Sequence, residues 1–253
     1  MEIYQFPTRG DNFGVLLHDP ATEATAAIDA PDADDVRQAL SEKGWILTHI
    51  LVTHHHHDHT AGIVALKKAS GCIVVGPEAE QETIPGLDVT VKEGDTVEVG
   101  NMKAQVIETP GHTAGHISYF FLDEPAAFVG DTIFSLGCGK LMEGDAKTMW
   151  ASLQKLMKLP PETKIYCGHE YTQKNASFSL TIEPENATLQ ARAKQVDELR
   201  RQGKATLPTT LGQELETNPF LRPDSPEIQE RLGMQGRPLE EVFGEIRRRK
   251  DAF

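Results

Sequence analysis

The sequence predicts an α+β fold, with a sandwich of β-sheets over residues 1–171 followed by a smaller, helical domain over residues 172–253. Three observations predict it. Four β-type runs each end on a histidine or an aspartate, which is most simply explained if they converge at one edge of a sheet sandwich. Beyond Tyr171 the apolar residues switch to helical spacing. Charge changes at the same place: residues 1–171 carry 12 Lys and Arg against 25 Asp and Glu, all of the net −13, whereas residues 172–253 carry 13 of each.

Taken in order, Ile3 to Phe6, Phe13 to Leu17 and Ala24 to Ile28 are short apolar runs between turns and predict antiparallel strands. Asp32 predicts a helix cap, with Val36, Ala39 and Leu40 on one face and Lys43-Gly44 closing the helix. Ile46 to Val52 reads as a buried strand. Thr60 to Ser70 has Ile63, Leu66 and Ala69 at helical spacing, lysines in its last turn and Gly71 at its end. Cys72 to Val75 predicts a strand. Val97 to Val99 and Ala104 to Ile107 form a hairpin around Gly100-Asn101. After Tyr171, helices are predicted over 172–182, 186–201, from the Ser225-Pro226 cap, and over 238–250. The stretch 205–223, rich in Thr and Pro, reads as an extended wrap.

The chain is organised around Thr53-His54-His55-His56-His57-Asp58-His59, which joins a strand end to a helix start. Alternation along extended backbone sends His54 and His56 one way and His55 and His57 the other. Asp58 and His59 then point in two further directions from one turn. Two imidazoles thus serve one point in space, and a carboxylate with an imidazole serves a neighbouring one. Such donors suit zinc, iron or manganese, whereas calcium would want oxygen ligands throughout. Three later strands end alike, in Pro110-Gly111-His112, Gly130-Asp131-Thr132 and Gly168-His169-Glu170. Each glycine lets the backbone turn tightly before a potential ligand.

Composition narrows the function. The acidic balance argues against a nucleic-acid partner. No apolar run approaches the roughly 20 residues needed to span a bilayer, and the N-terminus lacks a signal-peptide layout. Cys72, Cys138 and Cys167 show no CxxC pairing and read as reduced, buried thiols of a cytoplasmic protein.

Jointly, Thr53-His54-x-His56-x-Asp58-His59, Gly111-His112, Gly130-Asp131 and Gly168-His169 resemble the metallo-β-lactamase superfamily. Within it, Gly137-Cys138-Gly139-Lys140, His169-Glu170-Tyr171-Thr172, Thr217-Asn218-Pro219-Phe220-Leu221-Arg222 and Arg247-Arg248-Arg249-Lys250-Asp251 look like the hydroxyacylglutathione hydrolase (glyoxalase II) family, over nearly the whole chain. The resemblance implies a four-layer αββα sandwich with a helical C-terminal domain and a binuclear centre of divalent metals, zinc first, with iron or manganese as alternatives. By motif, His54, His56 and His112 would hold one metal, Asp58, His59 and His169 the other, and Asp131 would bridge them. A shared hydroxide would attack the thioester of S-D-lactoylglutathione and release glutathione and D-lactate, the second step of methylglyoxal detoxification. A thiolate leaves readily, so no dedicated general acid is expected.

In that family the positions of Lys140, Met142, Tyr171, Arg247 and Lys250 grip the glutathione. Position 142 is often aromatic there, and Met142 loses the hydroxyl contact. Arg247 and Lys250 share a helix face, so the helical domain is expected to reach its basic end over the metals. A monomer without membrane or nucleic-acid partners is expected. Three rivals read differently: a persulfide dioxygenase with one iron, which would need fewer ligands; an RNA-processing nuclease, which would want a basic groove; and a metal-stabilised binding module, which would close its coordination with four ligands.

Overall fold

Apolar β-branched runs broken by glycine and asparagine build strands here, and capped amphipathic stretches build helices. A computed structural model describes residues 1–253. Two compact units emerge, one of residues 1–109 with 113–130 and one of residues 110–112 with 131–253.

The first unit opens with the strands β1 (Glu2–Thr8), β2 (Asn12–Asp19) and β3 (Ala24–Ile28). Asp32 caps α1 (Ala33–Lys43), accepting from the amides of Asp34 and Asp35, and Gly44 ends it in the left-handed conformation. Then come β4 (His49–Leu51), α2 (His57–Thr60), α3 (Ile63–Ser70), β5 (Ile73–Pro77) and β6 (Val89–Val91). The sheet order is β1-β2-β3-β4-β5-β6, with β1 to β3 antiparallel and β3 to β6 parallel. Helices α1 and α3 bury Val36, Ala39, Leu40, Ile63 and Leu66 against Leu16, Ala27, Ile50 and Val74. A second sheet follows: β7 (Thr96–Val99), β8 (Met102–Glu108), β9 (Ile117–Phe121) and β10 (Ala126–Phe128), antiparallel throughout. Tyr119, fully buried on β9, donates its hydroxyl to the carbonyl of Val52 at 2.9 Å and ties this sheet to the first.

The second unit holds the short hairpin β11 (Ile133–Phe134) and β12 (Gly137–Cys138), α4 (Ala146–Leu156) and β13 (Lys164–Tyr166). Then follow α5 (Thr172–Ile182), α6 (Ala187–Arg201), β14 (Thr209–Thr210, antiparallel to β13), α7 (Leu211–Thr217), α8 (Pro226–Leu232) and α9 (Leu239–Asp251). Asp145 caps α4, whose Met149, Trp150, Leu153 and Leu156 are buried. Phe178, Phe220 and Phe243 make edge and stacked contacts that knit α5 and α9 together through the 3-10 turn Pro219–Leu221.

Three expectations change. The strand expected over 46–52 is regular only from His49 to Leu51. The helix expected over 60–70 is two pieces, because the Gly62 amide donates to the carbonyl of Ala30 at 2.8 Å, outside the helix, and a Cβ at this close approach would lie 2.8 Å from the amide nitrogen of Ala33. The extended wrap over 205–223 contains α7, because the Thr210 hydroxyl accepts from the amide of Gln213 and starts a helix that buries Leu211 and Glu214.

The sheet-to-sheet tie predicts the effect of one atom. Tyr119→Phe leaves a buried carbonyl without its donor, so urea unfolding should show a loss of about 1–3 kcal/mol with an unchanged slope.

Candidate metal centre

In the first unit the residue that organises the histidines is Asp29, at the end of β3. Its backbone lies in the left-handed region, at φ 57°, which costs a non-glycine residue about 1–2 kcal/mol. Its buried carboxylate accepts from the Thr53 amide at 2.7 Å, the Thr53 hydroxyl at 2.8 Å and Nδ1 of His59 at 2.7 Å. Thr53 has therefore spent its one hydroxyl proton on Asp29. Towards Nδ1 of His54, 3.0 Å away, the hydroxyl can only accept. Both imidazoles thus carry their proton on Nδ1 and present Nε2 as a lone pair. Asp29, His54 and His59 place donor atoms within 4.8 Å of one another, but the oxygens of Asp29 are occupied by these bonds. Asp29 acts as the orienting carboxylate.

The other predicted donors of this unit lie beside these two. The ring of His54 is 4.8 Å from that of His56 and 4.1 Å from that of His59. Asp58 Oδ2 is 3.7 Å from Nε2 of His59 and accepts from the side-chain amide of Asn12. His116, fully buried, stacks on His54 and keeps its own Nδ1 on the hydroxyl of Thr109. His55 turns to Glu80, whose carboxylate accepts from the His55 amide at 2.6 Å and lies 3.0 Å from its Nδ1. The same buried Glu80 accepts from the hydroxyl of Thr113 and the amide of Gly115. His57 is exposed.

In the second unit, Oδ2 of Asp131 lies 3.4 Å from Nε2 of His112 and 3.3 Å from Nε2 of His169. Direct charged hydrogen bonds would be about 2.7–2.9 Å long. Two ligands bound 2.0–2.1 Å from a tetrahedral ion are about 3.4 Å apart, so these separations fit oxygen and nitrogen donors to shared cations. Nδ1 of His112 donates to the carbonyl of Lys140 at 2.8 Å, which again leaves Nε2 as the donor. His169 is stacked flat on Tyr171, with ring centres 4.7 Å apart and planes 6° apart. Gly139 lets the backbone pass over Asp131, since a Cβ there would fall 1.8 Å from the Asp131 carbonyl oxygen.

The residues expected to grip substrate also fall in the second unit. Lys140 and Met142 are exposed. Lys250 is partly buried beside the rings of Phe178 and Phe253, and burial together with Arg247 and Lys174 lowers its pKa to about 8. Arg247 is buried, donating to the Cys138 carbonyl at 2.9 Å and pairing with Asp251. All three cysteines are free and buried, and burial raises the thiols of Cys138, to about 11, and Cys167. Sequence reasoning missed Asp29, Thr53 and Glu80 as supporting groups. The signal for Asp29 was a carboxylate ending a strand, as Asp131 also does.

Fold and donors together define a metal-dependent hydrolase, and the comparisons agree. Residues 12–169 match the metallo-β-lactamase superfamily and residues 170–253 match the hydroxyacylglutathione hydrolase C-terminus. The hydroxyacylglutathione hydrolase of Methylococcus capsulatus is 53% identical over all of this chain and 99% of its own. That of Rhizobium etli is 54% identical over the same shares. Among solved structures, ETHE1 from Myxococcus xanthus superposes with a TM-score of 0.68 at 26% identity, covering 100% of this chain and 99% of that one. The chain belongs to the hydroxyacylglutathione hydrolase family. It has the α+β metallo-β-lactamase fold followed by a helical C-terminal domain, and it uses divalent metal ions.

If Asp29 sets the two imidazoles, Asp29→Asn should weaken divalent-metal affinity about 10–100-fold in chelator competition.

Proposed function

We propose that the chain hydrolyses S-(2-hydroxyacyl)glutathione, with S-D-lactoylglutathione as substrate, to glutathione and a 2-hydroxy acid such as D-lactate. The observation that carries the reading is the placement of one Asp131 oxygen between the Nε2 atoms of His112 and His169. It supports two divalent ions, zinc first. His54, His56 and His112 would hold one, Asp58, His59 and His169 the other, and Asp131 both.

Bound in this way, the ions would acidify water towards neutral pH and polarise the thioester carbonyl. The chain's own residues do the rest. Asp29, Thr53 and the Lys140 carbonyl keep the Nδ1 protons of His59, His54 and His112 in place, so none of these three imidazoles has to change tautomer during turnover. The leaving thiolate, with a conjugate acid near pKa 8.5, departs without a proton donor. Lys140, Met142, Tyr171 and Lys250 would contact the glutathione. Arg247, committed to Cys138 and Asp251, would act through the loop that it holds.

We place the catalytic domain in residues 1–171, which would also lend Lys140, Met142 and Tyr171 to the substrate, and a helical substrate-binding domain in residues 172–253, which would add Lys250, a division supported by the family boundary at 169/170. The free, buried cysteines support a cytoplasmic setting, and we take the chain to act as a monomer. No helix is long and apolar enough to cross a membrane.

Two measurements test this. Purified enzyme should hydrolyse S-D-lactoylglutathione with about two metals per chain, and Asp131→Ala should lower kcat/KM by roughly 10³-fold, about 4 kcal/mol. Absence of thioesterase activity in metal-replete protein would sink the reading. Lys250 loses its charge as pH rises through about 8. The Michaelis constant should therefore rise between pH 7 and 9 in the wild type, and that part of the rise should vanish in Lys250→Ala.

A further inference from the structure

The hairpin β11–β12 reverses direction within four residues, and Leu136 at its tip has φ 58° in a buried, non-glycine position. A two-residue hairpin loop asks for positive φ, which leucine adopts only at a cost. The hairpin backbone is gripped from outside, almost group by group, by buried polar side chains of the helical region. Asn218 donates to the carbonyls of Phe134 at 3.2 Å and Gly137 at 2.9 Å. Asn175 donates to the carbonyl of Ser135 at 3.1 Å, and the Ser179 hydroxyl to that of Leu136 at 3.1 Å. Glu214 accepts from the Leu136 amide at 2.8 Å, and Arg247 donates to the Cys138 carbonyl at 2.9 Å. Every carbonyl from residue 134 to residue 138 is thereby satisfied by a side chain from α5, α9 or Asn218, and α7 accepts the Leu136 amide.

The base of the hairpin carries the metal chemistry. Asp131 precedes it by two residues. Gly139 follows it and packs on the Asp131 carbonyl, donating its amide to Thr132 at 3.1 Å. Lys140 comes next, and its carbonyl holds Nδ1 of His112. The tip is thus fixed by the helical region, while the base fixes one carboxylate and the tautomer of one imidazole.

We propose that the helical C-terminal region is a positioning frame for Asp131 and His112. In this role Asn175, Ser179, Glu214, Asn218 and Arg247 are positioning residues that set the metal donors through the hairpin. This rests on the reading of Asp131 and His112 as metal donors. It adds a task for the helical region distinct from gripping substrate, and it assigns Arg247 to the hairpin.

The two tasks separate by measurement. In holoenzyme, Asn218→Ala should weaken metal affinity about 10-fold or more by chelator competition, and lower kcat at metal-limited concentration with an unchanged KM. Glu183→Gln is the control. It perturbs the same region through the ion pair with Arg222 and the bond from Ser225, and touches no hairpin atom. It should lower the melting temperature while leaving metal affinity at the wild-type value. Wild-type metal affinity in Asn218→Ala would overturn the proposal, as would equal weakening in both variants or a raised KM at constant kcat. If Asn218→Ala does not fold, Ser179→Ala, which removes one hydroxyl, decides by the same readouts. A wild type that binds the metals but leaves the thioester intact would end the proposed activity, and the affinity comparison would still judge the frame.

Discussion

An imidazole has two nitrogens and, when neutral, one proton, so a histidine site works only if the proton is held away from the metal. This constraint organises the structure. At His59 a carboxylate holds the proton, at His54 a hydroxyl whose own proton is already committed, and at His112 a main-chain carbonyl. None of these acceptors can reverse its role without breaking another bond. The strained backbone of Asp29 follows from the same need, because its carboxylate must serve Thr53 twice and His59 once. Backbone strain of this kind persists only where the surroundings over-determine it.

Much of this was legible in the sequence, and the physics explains which part. The candidate donors stood out because four strand runs end on histidine or aspartate, three of them after a glycine, a repetition that ordinary turns do not show. Strands β1 to β3, helix α1 and the β7–β8 hairpin were legible because their caps and turn residues are local signals. Asp29 was not, since a single carboxylate at a strand end looks like any turn until its partners 24 and 30 residues away are known. The break at Gly62 was hidden for the same reason: its amide is taken by the carbonyl of Ala30, not by its neighbours in sequence. Helix α7 was hidden because its composition is polar and its buried face carries Glu214, whose partner Arg192 lies 22 residues away.

Charge bears on the helical region in a way that counting does not show. Its balance of 13 cations and 13 anions suggests a neutral surface with a basic end. In the structure most of its arginines are paired: Arg192 with Glu214, Arg200 with Glu170, Arg222 with Glu183, Arg237 with Glu241, Arg247 with Asp251, and Arg248 and Arg249 with Glu245. Glu245, between two guanidinium groups, has its carboxyl lowered to about 2. Exposed pairs of this kind contribute little stability singly, but they cancel the field of the arginines. Lys250 differs, for its ammonium meets two aromatic faces and the carbonyl of Lys174 without a carboxylate partner.

That contrast separates Arg247 from Lys250, although they share a helix face. A guanidinium is a rigid fork suited to fixed carbonyl and carboxylate partners, and burial leaves it charged. An ammonium is a compact charge whose protonation responds to burial, as the lowered pKa of Lys250 shows. The arginine is therefore suited to holding a hairpin, and the lysine to meeting an anion that arrives and leaves. On the proposed reading, one helix face would support the metal donors and attract the substrate, because the two tasks ask for different cations.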